Sequence, residues 1–194
     1  VRDVIRTGRS RPVIIWINGP FGAGKTTLSG ILARRVPDAL VVDPEVLGYA
    51  FGRLVPAGPT GDFQDLPIWR SLTRYTLGEV RRLYRVPVIV PMTLVVPGYV
   101  EQIIGGLAAA GEWVLHVFLD ADAEVVRARI RDQAVLDGTV QDDEVRRWRL
   151  AQVNRCLAAR ATMPAGTLML DCGRLPPDEL ADEVIAHLPA PPGD

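Results

Sequence analysis

Five mostly apolar runs recur along the chain, at residues 13–17, 39–42, 86–90, 113–119 and 166–171. Each is nearly continuous rather than alternating, which predicts strands buried on both faces and hence a parallel sheet with helices over each side. The stretches between them carry apolar residues at three- and four-residue spacing. They predict helices over 27–35, 45–54, 66–84, 97–110, 123–132, 142–160 and 177–188. In the first helix Leu28, Ile31 and Leu32 share a face; in the third, Ile68, Leu72, Tyr75 and Leu83 form the apolar stripe. Pro97 suits a first helical turn, Gly111 suits a helix exit, and Asp142 and Asp143 suit an N-terminus. Residues 55–67 read as a long Gly/Pro-rich loop carrying Asp62 and Asp65, and irregular loops of that length are often functional. Strand–helix alternation from end to end predicts an α/β fold: a three-layer α/β/α domain with a five-stranded parallel sheet. One domain is expected over 13–188, with a loosely held extension at 1–12 and a Pro-rich tail at 189–194.

Composition narrows the partners. A formal charge of −1 and 48% hydrophobic content over 194 residues give no bulk attraction to nucleic acid or to a membrane surface. No apolar run reaches the roughly 20 residues of a membrane span. Cys156 and Cys172 lack metal spacing, and His116 and His187 lack any motif around them, so all four read as structural. With no signal-peptide core and two cysteines, a cytoplasmic protein acting on a small molecule is expected; a homodimer is left open.

The first run leads into Gly19-Pro20-Phe21-Gly22-Ala23-Gly24-Lys25-Thr26, a full match to the phosphate-binding loop G-x-x-x-x-G-K-[ST], and a helix follows. Glycines let successive backbone N–H groups turn toward phosphate oxygens, and the helix N-terminus adds its partial positive charge. Lys25 is expected on the β and γ phosphates and the Thr26 hydroxyl on Mg2+. Lys25 is the single lysine among 22 basic residues, kept where a compact ammonium is wanted.

Other candidates follow from position. Asp43 ends the second strand at the sheet edge where ligands bind, so it is the candidate to orient or deprotonate an acceptor hydroxyl. Holding Mg2+ through water and capping the helix that follows are its alternatives. The third strand ends in Pro91-Met92-Thr93, without the acid that often completes a metal site there, and Asp120 ends the fourth. Arg127, Arg129 and Arg131 fan around the helix at 123–132, poised before a polar lid at about 131–142. Arg53, Trp69 and Arg70 fall where a substrate pocket would be walled, with Asp62, Gln64 and Asp65 nearby.

The segment from Ile14 to Thr27, continued by Val42-Asp43-Pro44-Glu45-Val46-Leu47-Gly48, resembles the tunicamycin-resistance ATP-binding family, a group similar in plan to P-loop small-molecule kinases. The resemblance implies ATP and Mg2+ held by Gly19, Pro20, Phe21, Gly22, Ala23, Gly24, Lys25, Thr26 and Thr27. It implies that Asp43 faces the acceptor as base, as the matching residue does in chloramphenicol phosphotransferases. Kinases of this plan carry L-x-x-R-L-x-x-R entering the lid; here Arg129 keeps the first arginine, Gln133 takes the second place, and Arg131 offers a shifted substitute. Asp171-Cys172-Gly173-Arg174-Leu175 resembles the turn that covers adenine, which brings Gly173 and Arg174 to the nucleotide. The activity implied is phosphoryl transfer to a hydroxyl of a nucleoside antibiotic. ATP-dependent drug sequestration and a metabolic nucleoside or sugar kinase are the alternatives.

Overall fold

All five apolar runs are strands of one parallel sheet: β1 (Ile14–Asn18), β2 (Leu40–Val41), β3 (Val88–Pro91), β4 (Val114–Asp120) and β5 (Leu168–Asp171), in the order β2-β3-β1-β4-β5. The computed structural model describes residues 13–56, 58–133 and 140–189. The extension expected at 1–12, the middle of the expected lid and the end of the tail lie outside the described residues. β1 is central, with Ile14 in register with Val88 on one side and Val114 on the other. The chain leaves β1 toward the β2–β3 side and later returns to the β4–β5 side. The carboxyl end of β1 is therefore a topological switch point, where open α/β sheets bind ligands.

Alternation along β1 divides the interior into two cores. Ile15 and Ile17 pack with Leu28 and Leu32 of α1 (Lys25–Arg35), Ile130 of α6 (Ala123–Asp132) and Val184 of α8 (Pro177–Ala186). Ile14 and Trp16 pack on the other face with Trp69 and Leu77 of α3 (Pro67–Tyr84). Ile103 and Leu107 join that second core from the helical stretch 97–109, in which α4 (Pro97–Val100) and α5 (Gly106–Ala109) flank a π-helical stretch at Glu101–Gly105. These are the two helical layers that continuous apolar strands require.

Four details depart from the sequence expectation. β2 is short and at the sheet edge, so Leu40 and Val41 are 38% and 46% exposed rather than buried. α3 buries Trp69, Arg70, Thr73, Leu77 and Arg81, while Ile68, Tyr75 and Leu83 of the expected stripe face outward. The helix predicted over 45–54 is α2 (Glu45–Phe51), and a 3-10 turn at Phe63–Asp65, capped by Asp62, interrupts the long loop. α7 (Val140–Ala158) begins two residues before the expected acidic cap, so Asp143 lies inside it and pairs with Arg146 at 2.8 Å.

Candidate functional site

β1 ends at Asn18, and the phosphate-binding loop turns immediately above it. Its glycines are required by conformation and space. Gly19 has φ +134° and a Cβ there would stand 2.6 Å from the Leu119 carbonyl oxygen; Gly22 has φ +79° and a Cβ would stand 2.9 Å from Ile130 Cγ1. Gly24, at φ +93°, starts α1 in the left-handed conformation. Lys25 Nζ donates to the carbonyls of Gly19 at 3.1 Å and Pro20 at 2.8 Å, and burial lowers its pKa to about 8. The loop opens on a cavity of about 460 Å3 whose wall includes Gly22, Lys25, Thr26, Thr27 and Asp43. A loop closed to any Cβ at Gly19 and Gly22, a helix N-terminus, a half-buried ammonium and an exposed threonine hydroxyl form a donor set that fits a nucleoside triphosphate with Mg2+. Thr26 is the residue that would hold the ion. Among the described residues there is no cluster of three or more His, Cys, Asp or Glu side chains able to hold a metal by themselves.

A second cavity, of about 380 Å3, adjoins the first, and the two share Phe21, Glu45 and Arg149. Four aromatic rings stand on its wall, Tyr49, Phe63 and Trp148 joining Phe21, with Asp62 and Gln64 among the polar residues beside them. The Phe21 and Trp148 rings meet edge-on with centroids 5.1 Å apart, and the Lys25 ammonium and Arg149 guanidinium lie 5.5 Å and 5.6 Å from the Phe21 centroid. Such cation–ring contacts hold the two charges near the shared wall. Asp43 Oδ1 accepts from the Glu45 amide at 2.9 Å, which fixes the first turn of α2. Glu45 faces both cavities, and burial together with the Asp43 charge pushes its pKa up.

The other sequence-derived candidates divide. Arg129 lines the loop cavity and donates to the Cys172 carbonyl at 2.9 Å. Arg131 is exposed and lines neither cavity, and Arg127 is held by Asn154 at 2.9 Å. Beyond β5, Cys172, Leu175, Pro177 and Leu180 line the loop cavity, whereas Gly173 and Arg174 do not; the Arg174 side chain is 87% exposed and pairs with Asp171. Arg53 is exposed and lines neither cavity. Trp69 is a core residue rather than a pocket wall: it is fully buried, and its Nε1 donates to the Pro44 carbonyl at 3.0 Å. Arg70 is buried as well, with donors on Gln102 and the Gln64 carbonyl and its guanidinium 4.2 Å from the Tyr99 ring centroid. Both fasten the elements under the second cavity.

Asn18 braces the loop from beneath. Its Oδ1 accepts from the amides of Gly19 and Leu94, each at 2.8 Å, and its Nδ2 donates to the Leu94 carbonyl at 2.6 Å. The same Nδ2 lies 3.1 Å from His116 Nε2, which places the imidazole proton on Nδ1, 2.8 Å from Thr167 Oγ1. Burial pushes the His116 pKa down to about 4, so the ring is neutral. Glu45, Arg149 and Asn18, with the cavity aromatics Tyr49, Phe63 and Trp148, are residues that sequence reasoning left without a role. The Asn-Gly-Pro-Phe-Gly opening was the available signal for Asn18, and the Asp-Pro-Glu segment for Glu45. Arg149 is one of several arginines on a polar helix and carried none.

A family model described as an AAA domain matches residues 14–161. The structure of the Deinococcus radiodurans tunicamycin resistance protein is similar over 94% of this chain and 100% of that one, with 31% identity and a TM-score of 0.66. A gluconokinase from Sinorhizobium meliloti shares the fold at 17% identity and a TM-score of 0.57, with 91% of each chain covered. The adenylyl-sulfate kinase of Paraburkholderia xenovorans is 25% identical over 183 residues, which are 92% of this chain and 94% of that protein. The fold is thus that of the P-loop kinase-like proteins. No helix among the described residues is long and apolar enough to cross a membrane.

Proposed function

The chain belongs to the AAA-domain family and to the family of the tunicamycin resistance protein, and on that premise we propose that it is an ATP-dependent O-phosphotransferase acting on a hydroxyl of a nucleoside antibiotic such as tunicamycin. The observation that carries the reading is the shared wall: two adjacent cavities, one built for phosphates and one lined by aromatic rings, meet at Phe21, Glu45 and Arg149. Bound ATP, with Mg2+, supplies the phosphoryl group. The loop amides and Lys25 bind and orient the phosphates, Lys25 exchanging its two backbone carbonyls for phosphate oxygens. Arg129 and Arg149 add positive charge on the walls of the same cavity. Phe21, Tyr49, Phe63 and Trp148 offer flat faces for a ring-bearing acceptor and keep water from its hydroxyl. Glu45 takes the proton of that hydroxyl, since it borders both cavities and its raised pKa suits a base; Asp43, holding the Glu45 amide, keeps it aimed.

Incubation of the protein with γ-labelled ATP, Mg2+ and tunicamycin tests the reading, and a labelled, heavier drug is the expected product. ATP-dependent drug binding without a labelled product would instead support sequestration, the reading that the carboxylate-free end of β3 favours. A metabolite from a panel of nucleosides and sugars that is phosphorylated faster than the drug would make this a metabolic kinase.

A further inference from the structure

The Gly19 carbonyl, at the foot of the phosphate-binding loop, accepts two hydrogen bonds: one from Lys25 Nζ at 3.1 Å and one from Thr93 Oγ1 at 2.8 Å. Gly19 is buried and Thr93 is 3% exposed, so this carbonyl and the Thr93 hydroxyl are shielded from bulk water. Thr93 is itself held rigidly. Its carbonyl accepts from Gln64 Nε2 at 3.0 Å, and the next residue is clamped by Asn18 through both the amide and the carbonyl of Leu94. The hydroxyl follows β3, at the strand end where an acid would have served a metal, and it is spent on the loop backbone.

Lys25 leaves these carbonyls when it moves to the β and γ phosphates of a nucleotide. A buried carbonyl stripped of every donor is costly, and the cost would be charged against nucleotide affinity. We propose that Thr93 is a positioning residue for the nucleotide: by keeping the Gly19 carbonyl paired after Lys25 departs, it frees the ammonium for the phosphates. The inference rests on the reading that ATP binds at this loop. It adds that the end of β3, rather than supplying a metal acid, sets the strength with which the loop's lysine is released.

The test compares ATP, ADP and AMP binding by calorimetry in the wild-type protein and in Thr93→Val, which keeps the side-chain shape and removes the hydroxyl. AMP has neither a β nor a γ phosphate to draw Lys25 from its carbonyls, so the defect must depend on the nucleotide. Thr93→Val is expected to weaken ATP and ADP about tenfold and to leave AMP within about twofold. Thr93→Ser, which retains the hydroxyl, is expected to match the wild type for all three. Thr93→Ala carries the same test should the valine variant fail to fold, a melting curve reporting which variants are native. Equal weakening of ATP, ADP and AMP, no weakening of any, or a serine variant as poor as the valine one would overturn the proposal. A wild-type protein that binds neither ATP nor ADP would instead overturn the nucleotide site on which it rests.

Discussion

Asp43 and Glu45, two residues apart, differ in what they face. Asp43 follows β2 and faces the loop cavity, but one of its oxygens is committed to the Glu45 amide. Glu45 borders both cavities. Glu45→Gln is therefore expected to lower kcat by about 10²–10⁴-fold while leaving ATP affinity within a few fold, and Asp43→Asn to cost less. Steady-state kinetics with direct nucleotide binding decide it; a larger loss in Asp43→Asn would return the base to Asp43. His116 sets a separate, structural dependence. Its folded pKa of about 4 lies below the ordinary value of 6.5, so the unfolded chain binds the extra proton first as pH falls. The stability it preserves is complete above about pH 6.5 and drains away toward pH 4, with about 2 kcal/mol lost by pH 5. Urea unfolding at pH 7.5 and pH 5 measures this, and His116→Gln should shrink the difference by that amount.

Elements, more than single residues, explain what the sequence concealed. Apolar periodicity in α3 pointed to Ile68, Tyr75 and Leu83, yet the buried face is one residue around the helix and includes two arginines. Those guanidinium groups are buried because each has acceptors: Arg81 donates to the Val86 carbonyl at 2.9 Å and pairs with Glu112 at 3.2 Å, and Arg70 meets Gln64 and Gln102. A hydrophobicity pattern assigns no value to a partner distant in sequence, so it rotated the helix wrongly and made Trp69 a pocket wall. Arg149 stayed hidden for the same reason, since its contact with Phe21 joins α7 to a loop far back in the chain. The phosphate-binding loop was legible because its demands are local. Gly22 ties that loop to α6, and Gly22→Ala is expected to push against Ile130 and the Val126 carbonyl, displacing the helix that carries Arg129. Nucleotide affinity should fall at least tenfold, as calorimetry would report. Gly24→Ala, with nothing within 4 Å of the new methyl, should cost only about 1 kcal/mol of backbone strain.

On the scale of the whole molecule, strand count, parallel arrangement and the position of the loop at the end of β1 could all be read from continuous apolar runs and one motif. The sheet order β2-β3-β1-β4-β5 then fixes what no local pattern contained: the phosphate cavity and the aromatic cavity lie side by side beyond the carboxyl end of the central strand. That adjacency is the basis of the proposed reaction, in which a phosphoryl group passes across a wall made by Phe21, Glu45 and Arg149. Following turnover by phosphorus NMR tests it most directly, with protein, ATP, Mg2+ and a hydroxylated acceptor in one tube. A phosphomonoester resonance that grows in step with ADP is the predicted result. ADP accompanied only by inorganic phosphate, or an unchanged ATP spectrum with both ligands bound, would contradict it.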